Sequence, residues 1–123
     1  MSAFSFPKTN RLLKRKEFLH LSKNGKKIHN NSFILAYESF ENKKNAKEKV
    51  RLGITVTKKV GCANVRNRIK RQTREFFRIN KHRLHGVCDI NIIAKKEAAV
   101  VSSEQLNKSL NEIFARLMRR LQY

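Results

Sequence analysis

Apolar and polar positions along this chain follow two different periods, and the places where the period changes mark its elements. From Thr9 to Asn24 the apolar Phe18 and Leu21 lie three apart, and Asn24-Gly25 offers a stop, which predicts a short helix. Ser32 to Phe40 alternates, with Phe33, Leu35 and Tyr37 on one side and Ile34, Ala36 and Glu38 on the other, as a strand requires. After a polar, lysine-rich loop from Glu41 to Lys49, the stretch Val50 to Thr57 alternates more cleanly. Val50, Leu52, Ile54 and Val56 share one face, predicted to be core, while Arg51, Gly53, Thr55 and Thr57 share a face left available.

The period then turns helical. From Asn64, read as the N-cap, to Arg83, the apolar Val65, Ile69, Phe76 and Ile79 fall within an arc of about 80°, and Arg66, Asn67, Lys70, Arg71, Arg74, Arg78 and Lys81 fill a separate arc of about 140°. Val87 to Ala94 is a largely apolar third strand, and Ser102-Ser103-Glu104-Gln105 has the form of a capping box. It opens a last helix whose Leu106, Leu110, Ile113, Leu117 and Leu121 form a core stripe, with Arg116, Arg119 and Arg120 near its end. The order is α-β-β-α-β-α, an α+β two-layer sandwich of helices on a small mixed sheet. Residues 1–9 are expected to be a flexible arm and 10–123 a single domain, with no repeat and no linker. If the second and third strands are parallel neighbours, the basic helix is their crossover, right-handed by the general rule.

Composition sharpens this picture. A 40% hydrophobic content with eight Phe is enough for one core, yet the formal charge is +20. Ten Lys or Arg between positions 58 and 83 face one acid, Glu75, so about half of that charge sits in about a fifth of the length. An ordinary solvated helix face mixes Glu with Lys; this one stacks cations at 66, 70, 74 and 78, each like pair costing roughly 0.2–0.5 kcal/mol. A polyanion relieves that repulsion, and arginine forks suit phosphate oxygens. Nucleic acid is therefore the expected partner.

Reaction chemistry is harder to find. The only Asp is Asp89, inside an apolar strand, the eight Glu are scattered, and no Gly-rich phosphate loop is present. Catalytic residues and metal ligands are accordingly expected to be none. No apolar run approaches the roughly 18 residues of a membrane span, Met1 to Asn10 lacks a signal-peptide block, and Cys62 and Cys88 fit a reducing compartment; the cytoplasm is the expected location. An aromatic ring beside positive charge is what single-stranded nucleic acid stacks on, and Phe18 is read as such a platform. A core anchor between helix and sheet is the equal reading of Phe18. A ribosomal or general structured-RNA-binding protein without a role in cleavage is the alternative function, and a nucleoid-type DNA binder a further one.

Lys58-Lys59-Val60-Gly61, Ala63, Arg66-Asn67-Arg68-Ile69-Lys70-Arg71 and Arg74-Glu75 together resemble the signature of the bacterial ribonuclease P protein subunit. Arg11-Leu12, Phe18 and Gly25, Phe33 and Leu35, Arg51-Leu52-Gly53, and Asp89 to Lys95 extend the resemblance over residues 10–120. It implies a left-handed crossover in place of the general rule. It also implies a subunit that binds a catalytic RNA and precursor tRNA, promoting endonucleolytic removal of the 5′ leader, with Mg²⁺ held mainly by the RNA and none bound by this chain alone. By the same resemblance Arg66, Asn67, Arg68, Lys70, Arg71 and Arg74 contact the catalytic RNA. The single-stranded leader lies against Phe18, Thr55, Thr57 and Lys58, with Arg51 and Lys59 beside them. No membrane and no obligate protein partner is implied. The chain departs from the family pattern at Ser22 and Ala36, where aromatic residues are common, and at Cys62, a loop position often polar or basic. Lys95 and Lys96, just past the third strand, are read equally as phosphate contacts near the implied leader path and as solvated lysines.

Overall fold

The computed structural model describes residues 11–40, 50–84 and 87–121; the expected N-terminal arm and the loop Glu41 to Lys49 lie outside them. The elements are α1 (Arg15–Asn24), β1 (Lys26–His29), β2 (Phe33–Phe40), β3 (Val50–Thr55), α2 (Ala63–Asn80), β4 (Val87–Ala94) and α3 (Ser103–Arg120), with short 3₁₀ turns at Lys81–Arg83 and Lys96–Ala99. The sheet runs β1-β2-β4-β3, antiparallel except for the parallel β3–β4 pair, so α2 is the crossover between parallel neighbours.

One strand was not expected. Lys26-Lys27-Ile28-His29 has a single apolar residue, too little for an alternation to register, and it is a strand because its partner makes it one. The Asn30 side-chain oxygen accepts from the N–H groups of Ser32 (3.1 Å) and Phe33 (2.8 Å), an Asx turn that folds β1 back onto β2 with Ile28 in the core. The first helix also begins later than Thr9. Residues 11–13 run beside β3 instead, where Arg11 bridges Leu52 and the Leu12 N–H donates to the Leu52 carbonyl at 2.9 Å. β3 ends at Thr55 rather than Thr57.

Helices α2 and α3 cover the sheet face that carries Phe33, Leu35, Tyr37, Leu52, Ile90 and Ile92, all buried. α2 starts one residue before Asn64, with Cys62 as N-cap, and passes at Lys81 into a 3₁₀ turn. Its core stripe is Ile69, Thr73, Phe76 and Phe77, whereas Ile79 is 45% exposed and Val65 half-buried. The stripe expected from the sequence was rotated because two adjacent phenylalanines competed for one face, and both won. Phe76, Phe77 and Phe114 meet edge to face at centroid separations of 5.5, 5.6 and 5.7 Å, the arrangement favoured by ring quadrupoles. The predicted capping box is present: Ser102 Oγ accepts from the Gln105 N–H at 3.1 Å, and Gln105 Oε1 accepts from the Ser102 N–H at 3.2 Å. α3 buries Leu106, Leu110, Ile113, Phe114 and Leu117 against the sheet.

Candidate nucleic-acid interface

The second sheet face is organised in rows by strand register. Glu38, Asp89 and Arg51 align across β2, β4 and β3; next come Ala36, Asn91 and Gly53, and then Ile34, Ile93 and Thr55. The sequence reading left this face open, but α1 lies across part of it, contacting β2 and β4 and burying Leu21. The middle row is small, and that lets the helix come close. A Cβ on Gly53 would fall 2.3 Å from Phe18 Cε1, so the ring lies directly on the glycine backbone.

Charge fixes the helix in that position. The Arg51 Nε and Nη2 donate to the two Asp89 carboxylate oxygens at 2.9 and 2.8 Å, a bidentate pair, while Nη1 donates to Glu17 Oε2. The other Glu17 oxygen accepts from the N–H groups of Lys14 (3.0 Å) and Leu13 (3.2 Å), so one carboxylate both starts α1 and ties it to the sheet. Desolvation works to raise the Glu17 pKa, but these backbone N–H groups and the Arg51 charge together lower it below the ordinary carboxylate value. The hydrogen bond that Arg51 donates to Asp89 raises the Arg51 pKa against the opposing effect of burial. Arg51, expected at the leader cleft for its charge, thus spends three nitrogens on acids. Thr55 is similarly engaged, its hydroxyl donating to Asn91 Oδ1 at 3.1 Å.

Beside Phe18 a groove of about 220 Å³ opens around the edge of β3, lined by Arg11, Leu12, Leu13, Phe18, Leu52, Gly53, Ile54, Lys70 and Arg74. It brings together residues from both expected sites: Phe18 of the leader set, and Lys70 and Arg74 of the RNA-docking set. Arg66, Asn67, Arg68 and Arg71 lie on α2 outside this lining; Asn67, Arg68 and Arg71 are exposed and Arg66 half-buried. Thr57, Lys58 and Lys59 are exposed beyond the end of β3, in a turn held by the Val60 N–H donating to the Thr57 carbonyl at 3.0 Å and by burial of Val60. Three contributors to the groove, Arg11, Leu12 and Leu13, escaped the sequence reading because it placed them in a helix. The exposed apolar Leu13 marks their role once the chain is seen to be extended there.

Among the described residues Lys58, Lys59, Lys70, Arg71 and Arg74 make no ion pair with an acid; Arg78 is the exception on α2, closed onto Glu75 at 2.9 Å. Arg68 reaches only the Ala99 carbonyl, at 3.5 Å, and Arg66 Nε is buried without a partner. The face is therefore a field of uncancelled positive charge beside an aromatic platform. Cys62, at the helix N-terminus, has its thiol pKa lowered chiefly by the Val65 N–H, with Arg66 adding to the effect. Burial pushes the Cys88 thiol up to about 12. No three His, Cys, Asp or Glu side chains among the described residues come together as metal ligands, and none of the helices there is long and apolar enough to cross a membrane.

The family model described as Ribonuclease P matches residues 6–118. The ribonuclease P protein component of Desulfosudis oleivorans is 50% identical over 119 residues, covering 97% of this chain and 94% of that protein. The ribonuclease P protein of Staphylococcus aureus superposes with a TM-score of 0.78 at 30% identity, covering 88% of this chain and 94% of the other. That of Thermotoga maritima superposes with a TM-score of 0.72 at 33% identity, covering 86% and 96%. The match extends over nearly the full length in sequence and in fold, and the chain belongs to the ribonuclease P protein family, the protein component of a ribonucleoprotein endoribonuclease.

Proposed function

We propose that α2 docks this chain onto the catalytic RNA of ribonuclease P through Arg66, Asn67, Arg68, Lys70, Arg71 and Arg74, and that the groove beside Phe18 receives the single-stranded 5′ leader of precursor tRNA. The observation that carries this reading is the shared groove: unpaired Lys70 and Arg74 stand on the same wall system as the Phe18 ring. A strand leaving the ribozyme's active centre passes from phosphate contacts on α2 to a base stack on α1 without crossing an acidic surface. The bond breaking belongs to the RNA, which holds the Mg²⁺; this chain contributes cations and shape. Thr57, Lys58 and Lys59 extend the leader path beyond β3. Arg51 acts there through Glu17, by holding the helix that presents Phe18. The site of action in this reading is the cytoplasm.

The experiment compares affinities of the reconstituted RNA–protein particle for precursor and mature tRNA. Phe18→Ala is expected to weaken precursor binding by about 5- to 160-fold, the value of one base stack, and to leave mature tRNA unchanged. Arg68→Ala is expected to weaken assembly with the RNA instead. Equal losses for precursor and mature tRNA with Phe18→Ala would overturn the leader site.

A further inference from the structure

A second groove, of about 420 Å³, lies at the other side of the molecule, between the end of α1, the start of β1, the middle of β2 and the end of α3. Lys26 and Arg120 line it together with Asn24, Tyr37, Ser39 and Glu38. Neither Lys26 nor Arg120 has an ion-pair partner among the described residues, and Lys23, in the last turn of α1, and Arg119, beside Arg120, have none either. The one acid in the lining, Glu38, is held by His20 Nε2 at 2.8 Å. Elsewhere on this face the cations are neutralised or tied to backbone: Arg116 lies 3.6 Å from Glu112 and donates to the His29 carbonyl, and Lys27 donates to the Ser22 carbonyl. The acids of α3 thus pair with Arg116 and Lys108 and leave Arg120 exposed.

This repeats in miniature the logic of α2: like charges set side by side with their acids spent on other residues, which is unfavourable for the free protein and favourable against phosphate. The groove is polar and open, so a hydrated phosphate backbone fits it better than an apolar protein segment. β1 and β3 are opposite edges of the sheet, about 14 Å apart at three strand spacings. One folded RNA is large enough to reach both.

We propose that the groove lined by Lys26 and Arg120 is a second docking surface for the phosphate backbone of the same RNA that α2 binds, so that the protein is gripped at both edges of its sheet. This rests on the RNA partnership proposed above. The test uses the full chain and the catalytic RNA. Lys26→Gln with Arg120→Gln removes two charges at the groove; Lys108→Glu removes the same two units from an exposed point of α3 away from it. For the groove variant the log–log slope of affinity against salt is expected to fall by about 1.4 to 1.8, and binding at moderate salt to weaken about tenfold, with an unchanged melting temperature. Backbone footprinting is expected to lose one protected RNA segment and keep the other. Lys108→Glu is expected to change the slope by less than half as much and to keep both segments. The proposal is overturned if the two variants behave alike or if both protections persist in the groove variant. Arg68→Ala, measured alongside, separates the two ideas: its effect survives failure of the second surface and disappears only if the α2 interface itself is wrong.

Discussion

Individual side chains on this molecule divide by whether their charge is already spent. Arg51 and Arg74 look alike in sequence, but Arg51 is closed by Asp89 and Glu17 while Arg74 faces the groove. No local pattern reveals this, because the acids that claim Arg51 lie 38 and 34 positions away. Arg51→Met is expected to cost about 1–3 kcal/mol in thermal or denaturant unfolding, since it strands two carboxylates, and to reduce precursor preference while leaving RNA assembly intact. Glu17 gives the same contact a pH signature. Its pKa is lowered on folding, so the stabilisation is fully present above the ordinary value of 4.5 and drains away as pH falls from there through the lower folded value. Glu17→Gln should flatten the acid limb of a melting-temperature profile. The two thiols differ in the same spirit: brief alkylation at neutral pH should label Cys62 and leave Cys88 unmodified, as read by mass spectrometry.

At the level of elements, the sequence was most legible where periodicity had no competitor. The strand at Val50, though it ends two residues early, the apolar run of β4, and Leu106, Leu110, Ile113 and Leu117 of the α3 stripe appear as read, down to the Ser102–Gln105 capping box. It was least legible where a partner supplies the order: β1 exists through β2, and the extended run 11–13 exists through the edge of β3. The site followed the same division. Cationic α2 was visible as a face, whereas the approach of Phe18 to Gly53 depends on a three-row register that no single strand displays. Gly53→Val should displace the ring and mimic Phe18→Ala in precursor binding. At the start of α2, Cys62 has an extended N-cap backbone, and its sulfur, a weak acceptor, feels the Val65 N–H without closing a cap hydrogen bond on it. Cys62→Ser supplies a better acceptor and is expected to raise stability by about 0.5–1 kcal/mol, measured by chemical denaturation.

The whole molecule is a small sheet with a crossover helix of uncancelled charge on one side and an aromatic platform around the corner. A formal charge of +20 on such a body makes it a partner for polyanions before any detail is considered. What the fold adds is placement: Lys70, Arg74 and the Phe18 ring share one groove at the edge of β3, and in the function proposed above docking and substrate grip meet there. Cleavage of precursor tRNA at low Mg²⁺, by the catalytic RNA alone, the protein alone and the two mixed, measures that division of labour most directly. The account predicts leader removal only in the mixture, weakened by Arg68→Ala through assembly. Cleavage by the protein alone, or a ribozyme indifferent to its addition, would contradict it.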